Sequence, residues 1–318
     1  MTHFLYYYFR SMRLYYGFVT GTTVLWGILH ANPANYAPCT RPFSQLDAKA
    51  VAALIIGFLV WGVNQIFSDY LDRKEDSINA SHRPMVTGAL PPRPALLCSA
   101  VIMLLFTIAS ASVSLWTLPV LFAGAILNAA YSLLKKLPVI NFIVYSCAIT
   151  CCAIYGYAGI LNRCPDINAI AYAATLFLPI HCLMCHNSYY KDVEGDRAVG
   201  VRTLQTCFSR AVSLGVSIIL FAVHILQIAF RVMPPLLPKD FVPESMMVQV
   251  FLLILLIVML IRNISRMTYH KATLRNCQLC VAMLYTPMLM HTEFMLIPEL
   301  LSLLTIEILF LWYRDEKE

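Results

Sequence analysis

Apolar stretches of helix-spanning length recur along the whole chain, and no other feature constrains its fold as tightly. They fall near 12–30, 48–68, 95–113, 115–133, 139–160, 167–187, 211–231, 247–264 and 279–313. A bilayer core about 30 Å thick takes about 20 residues of helix to cross. The stretches are continuously apolar rather than alternating, which favours helices over a barrel. The last is long and interrupted by His291, Glu293 and Pro298, so it is one kinked span or two short ones. The expectation is an all-α, polytopic membrane bundle of about nine transmembrane helices around a central cavity, forming one domain over residues 1–318.

Composition agrees. The chain is 59% apolar and 13% charged, against about 45–50% and about 25% in soluble domains. A soluble fold of 318 residues has too few interior positions to hide that much apolar side chain, and a disordered chain is excluded by the same figures. The net charge of +6 is too small for a nucleic-acid partner. Most cysteines lie inside apolar runs, where they act as small buried hydrophobes. No cleavable signal peptide follows Arg10 and Arg13. With nine spans, 16 of the 23 Lys and Arg share one side with the N-terminus and the loops after spans 2, 4, 6 and 8. The positive-inside rule makes that side cytoplasmic and sets the C-terminus opposite.

The acids point to chemistry. Of 17 Asp and Glu, seven fall in two short segments on that same side: Asp69, Asp72, Glu75 and Asp76 after span 2, and Asp192, Glu194 and Asp196 after span 6. Asp72 and Asp76 are four residues apart, as are Asp192 and Asp196, a spacing that stacks each pair on one helical face. Like charges so placed repel unless a cation sits between them, and carboxylate oxygens are the ligands magnesium prefers. Each cluster is followed by a basic, loop-forming stretch: His82-Arg83-Pro84-Met85-Val86-Thr87-Gly88, and Arg197-Ala198-Val199-Gly200-Val201-Arg202-Thr203-Leu204. Arginine is the natural partner of phosphate oxygens. Acids for magnesium beside arginines for phosphate describe a diphosphate site, with an apolar tail lying in the bundle below, as an isoprenyl diphosphate requires.

The stretch Ser68-Asp69-Tyr70-Leu71-Asp72-Arg73-Lys74-Glu75-Asp76, with Arg83-Pro84 and Gly88 behind it, resembles the first motif of the UbiA-type intramembrane prenyltransferases. Asp192-Val193-Glu194-Gly195-Asp196-Arg197, with Gly200, Thr203 and Leu204, resembles the second motif, in the form of the chlorophyll-synthase and homogentisate-transferase branch. Tyr131-Ser132 with Lys135 and Lys136 resembles a third family segment. The resemblance covers nearly the whole chain. It implies a UbiA-like domain with Asp72, Asp76, Asp192 and Asp196 as catalytic magnesium ligands and Asp69 and Glu194 as secondary ligands. It further implies Arg83, Lys135, Lys191, Arg197, Arg202, Asn64 and Ser68 as diphosphate contacts. Ser68 stands where the family has Asn, and Asn64 lies one turn earlier on the same face. Ser188 stands where longer second motifs carry an acid.

The implied reaction is magnesium-dependent transfer of a prenyl group from a prenyl diphosphate to a lipophilic, phenol- or quinol-type acceptor within the bilayer. The alternative on the same scaffold is a terpene cyclase, in which the substrate's own double bonds attack the cation. A transporter or channel needs acids buried mid-helix rather than gathered at one face. Cys182-Leu183-Met184-Cys185-His186 spells the haem-attachment signature, but it lies in an apolar span just before the acid motif, so no haem is expected. Cys277 and Cys280 could complete a four-Cys zinc site only with a pair more than 90 residues away. His224 and His291 read as core or lumen-facing residues. Tyr6, Tyr7, Tyr8, Tyr15 and Tyr16 read as an interfacial aromatic belt, some of which could line the cavity and face a carbocation.

Overall fold

The computed structural model describes residues 2–31, 47–229 and 243–313. Helix α1 (Thr2–Met12) and a 3-10 turn at Leu14–Tyr16 lead into α2 (Gly17–Ala31) and α3 (Ala48–Leu71). The first motif forms α4 (Arg73–Asn79) and α5 (Pro84–Thr87). Then follow α6 (Pro92–Val113), α7 (Thr117–Leu134), α8 (Ile140–Leu161) and α9 (Ile167–Ser188). The second motif forms a 3-10 turn and α10 (Val193–Ala198), with α11 (Leu204–Cys207) behind it. The chain closes with α12 (Arg210–Gln227), α13 (Pro243–Ser265), α14 (Tyr269–Leu289) and α15 (Leu296–Tyr313). Among the described residues there is no strand. The tail of the expected 211–231 span lies partly outside them.

Eight of these helices are long and apolar enough to cross a membrane: α3, α6, α7, α8, α9, α12, α13 and α15. Their outer faces suit lipid. Leu104, Ile108, Ile126 and Leu133 are 60–84% exposed, which only a hydrocarbon surrounding makes favourable. Helix starts are fixed by local caps. Asp47 accepts from Ala50 N (2.8 Å) at α3, and Asp166 from Ala169 N (2.9 Å) at α9. Helices α2 and α8 approach backbone to backbone. A Cβ at Gly27 meets Ala153 O, and one at Gly156 meets Val24 O, the small-residue packing that membrane helices use.

The last expected span is two helices. The polar run His291-Thr292-Glu293 breaks the chain into a 3-10 turn, and Pro298 is tolerated in the first turn of α15. Helix α14 starts at Tyr269, ahead of the apolar run at 279, and carries Arg275, Asn276 and Gln278. It is buried continuously from Asn276 to Leu289, so its polar groups are satisfied by protein. Asn276 donates to Met184 O (2.8 Å), Gln278 to Leu303 O (3.1 Å), and Gln249 of α13 to Ala282 O (2.8 Å). The extra turn-back has a consequence for topology. The Tyr313 hydroxyl donates to Phe9 O (2.8 Å) and accepts from Leu14 N (3.2 Å). The end of α15 therefore sits on the motif side, not on the opposite side where nine passes put it.

Candidate active site

The two motif segments meet at one end of the bundle. Asn79, the last residue of α4, holds them in register: its Nδ2 donates to Asp192 O (2.9 Å), and Gly195 N donates to its Oδ1 (2.7 Å). A Cβ at Gly195 runs into the Asn79 carboxamide, so the glycine permits this approach. Together the segments wall a cavity of about 430 Å³. Asp69, Asp72, Asp76, Asp192, Asp196, Ser68, Arg83, Lys135 and Lys191 all line it. Glu194, Arg197 and Arg202 do not; they are exposed outside it. Glu194 and Arg197 lie on the exposed side of α10, away from buried Asp196, and Arg202 lies beyond the helix in the stretch before α11. Asn64 lines a neighbouring slot instead.

Four of the five aspartates lining the cavity, all but Asp196, have a basic partner among the described residues. Lys135 Nζ donates to Asp72 Oδ1 (2.8 Å), and Lys191 Nζ to Asp192 Oδ2 (2.5 Å). Arg83 pairs with Asp76 and lies 3.6 Å from Asp69. Arg13 donates to both oxygens of Asp69 (2.8 and 3.0 Å), and Gln65 adds a third bond to Oδ1 (3.0 Å). Burial works against charge on Arg13 and on Lys135, but Asp69 and Asp72 respectively hold their pKa values above the ordinary range. Burial pushes the Asp76 carboxyl up to about 6 against the pull of Arg83. The site is thus a buried field of alternating charge, in which interactions act at low effective dielectric.

The donor set fits magnesium. It offers only oxygen, and Asp196 Oδ2 is buried with no hydrogen-bond partner among the described residues. No three acidic, His or Cys side chains among the described residues close into a cage. An ion held by these carboxylates would need further oxygen ligands from water or substrate, as magnesium usually has.

Below the charged layer the wall is aromatic. Tyr16 stacks on Trp61 (centroids 4.9 Å), Trp61 meets Tyr145 edge to face (5.6 Å), and Tyr145 stacks on Tyr131 (4.7 Å). The Tyr189 hydroxyl donates to that of Tyr131 (3.4 Å). Of the N-terminal tyrosines, Tyr15 and Tyr16 line the cavity, while Tyr6 is 45% exposed. Sequence reading did not find Arg13, Asn79, Trp61 or Tyr145. Arg13 reads as one more basic anchor, and Trp61 and Tyr145 read as ordinary span residues. The haem-like segment is packed inside the bundle, where Cys182 and Cys185 are buried and His186 Nε2 donates to Ser213 O (2.9 Å).

The UbiA prenyltransferase family model matches residues 20–283. The chain belongs to the UbiA prenyltransferase family. It is 28% identical over 200 residues to the digeranylgeranylglyceryl phosphate synthase of Methanopyrus kandleri, covering 61% of this chain and 68% of that protein. It is 25% identical over 205 residues to the bacteriochlorophyll synthase 33 kDa chain of Rhodobacter capsulatus, covering 61% and 66%. In fold it is similar to a UbiA homolog from Archaeoglobus fulgidus whose structure holds GPP and Mg2+, with a TM-score of 0.59, 15% identity, and 96% of each chain covered.

Proposed function

We propose that this UbiA-family chain transfers an isoprenyl group from a prenyl diphosphate to a lipophilic, aromatic acceptor within the membrane, with the motif face in the cytoplasm. The observation that carries the reading is the meeting of both acid motifs in one cavity whose charged mouth opens onto an aromatic floor. The relatives' names support prenyl transfer, and the basic bias of the motif loops supports the cytoplasmic side.

Asp72, Asp76, Asp192 and Asp196 are the carboxylates that would hold magnesium, and Ser68, which lines the same cavity, would add a hydroxyl. Magnesium, when bound, neutralises charge on the leaving diphosphate. Arg83, Lys135 and Lys191 bind the diphosphate oxygens from the cavity wall and stabilise the charge that develops there. Asp69 is a positioning residue: engaged by Arg13 and Gln65, it fixes Arg83 in place. The bond between the allylic carbon and the diphosphate oxygen breaks, and the allylic fragment becomes cationic. Tyr16, Trp61 and Tyr145 turn ring faces and edges toward that region, stabilise positive charge and exclude water. The acceptor then bonds to the allylic carbon and loses a proton. Arg197 and Arg202, outside the cavity, have no part in this.

The test uses purified protein in lipid nanodiscs with geranylgeranyl diphosphate and a panel of acceptors, followed by mass spectrometry. Chelator should abolish diphosphate release and added magnesium restore it; full turnover in chelator refutes the reading. A cyclic hydrocarbon or alcohol formed from the prenyl diphosphate alone identifies a cyclase instead.

A further inference from the structure

Trp61 and Tyr145 belong to two cavities at once. On their far side lies a second, apolar slot of about 80 Å³ between α3, α7 and α8. At roughly 10–15 Å³ of such space per water, it takes a single substituted ring. Its lining includes Val60, Leu121, Ile149 and Cys152, and no charged side chain. Two carboxamides interrupt the apolar wall: Asn64 from α3 and Asn128 from α7. Among the described residues neither side chain has a hydrogen-bond partner.

The two amides lie at one depth. Helices α3 and α7 run in the same direction, and the Lys135–Asp72 bond of 2.8 Å ties their motif-side ends together. Asn64 is eight residues before Asp72 and Asn128 seven before Lys135. At 1.5 Å per residue, both sit about 10–12 Å beneath that pair. A hydrocarbon tail laid here strips water from two amides and returns no hydrogen bond, which is unfavourable. A ring with a hydroxyl or carbonyl at its far edge satisfies both, because a carboxamide donates and accepts. An anionic group finds no counter-charge in the slot.

We propose that this slot is the acceptor subsite, and that Asn64 and Asn128 select an uncharged acceptor bearing a hydroxyl or carbonyl. The ring enters with that group on the amides and its reactive position toward the Trp61–Tyr145 edge, facing the allylic carbon. The inference rests on the prenyl-transfer reading above.

The experiment measures binding, so that the two can fail separately. Wild-type protein in nanodiscs, loaded with magnesium and unreactive geranylgeranyl thiodiphosphate, is titrated with 1-naphthol and with 4-hydroxybenzoate. The expected result is saturable binding of naphthol, at least ten-fold tighter than hydroxybenzoate. The double variant Asn64→Leu/Asn128→Leu should bind naphthol about thirty-fold more weakly, the loss of two ordinary hydrogen bonds, with unchanged affinity for the thiodiphosphate. Naphthol affinity unmoved by the substitutions, no naphthol binding in the wild type, or equal affinity for hydroxybenzoate overturns the proposal. So does a weakened thiodiphosphate affinity in a folded variant, which assigns the slot to the prenyl tail. Should the double variant not fold, Asn64→Ser and Asn128→Ser carry the same comparison singly. Failure of the wild type to bind thiodiphosphate at all counts against the prenyl-transfer reading, not against the neutral character of the slot.

Discussion

Asp76 and Asp196 are 4% and 1% exposed, and both line the charged cavity. Asp76→Ala and Asp196→Ala should each lower turnover by orders of magnitude while the unfolding temperature stays near wild type. Because ligands to one diphosphate act as a unit, the double variant should be hardly slower than either single one. Near-normal turnover by Asp196→Ala, measured as diphosphate release, excludes the second motif from the chemistry. Asp69 is a different kind of residue. Its partner Arg13 sits at a left-handed backbone position (φ 47°) just after α1, and the two hydrogen bonds between them anchor the N-terminal segment to α3. Arg13→Met leaves a buried carboxylate with Gln65 and a more distant Arg83. The expected cost is about 2 kcal/mol, below the about 3–5 kcal/mol of a fully abandoned charge, because Arg83 remains. Thermal unfolding checks it, and Arg13→Met with Asp69→Leu should recover most of the loss. The acids were legible in sequence because acids are rare here and each cluster holds an Asp pair four residues apart. Arg13 was not, because a basic residue beside a first span has an ordinary explanation as an interfacial anchor.

At the level of elements, the site depends on two short helices that have little stability of their own. Helices α4 and α10 span seven and six residues, too short to persist in isolation. They are held by the Asn79 clamp and by the ion pairs. Asn79→Ala removes two hydrogen bonds across the motifs, and Gly195→Ala drives a methyl into the Asn79 side chain. Both should lower kcat at least ten-fold through misalignment, with the long helices and the unfolding temperature little changed. Steady-state kinetics beside circular dichroism test this, and a wild-type kcat in both variants removes the clamp from the mechanism. The long apolar helices were readable from length and hydropathy alone. Helix α14 was misplaced at its start because hydropathy reports contact with lipid, and this helix touches protein on every side. Glu194, Arg197 and Arg202 share a motif with Asp192 and Asp196, but a motif string does not say which side chains face out from α10 and the stretch behind it.

For the whole molecule, the alternation of passes sets both motif segments and the end of α15 on one face. Cysteines placed at Val86 and Val199, in a background lacking the exposed Cys164 and Cys207, should react with an impermeant maleimide only after cells are opened. A cysteine at Leu115, in the loop between α6 and α7 and 70% exposed, should react in sealed cells. The reverse pattern inverts the orientation. The count of passes also bears on how the chain is made. Helix α14 carries Arg275, Asn276 and Gln278 into the bundle, and it falls outside the eight helices apolar enough to cross by their own composition. Emerging alone from the translocation machinery, such a segment has no favourable place in lipid. Its polar groups find their partners on Met184, Gln249 and Leu303, residues made both before and after it. Insertion of α14 is therefore expected to depend on α15: in a chain truncated after residue 290 a cysteine in α14 should react with an impermeant label, and full protection there refutes the dependence.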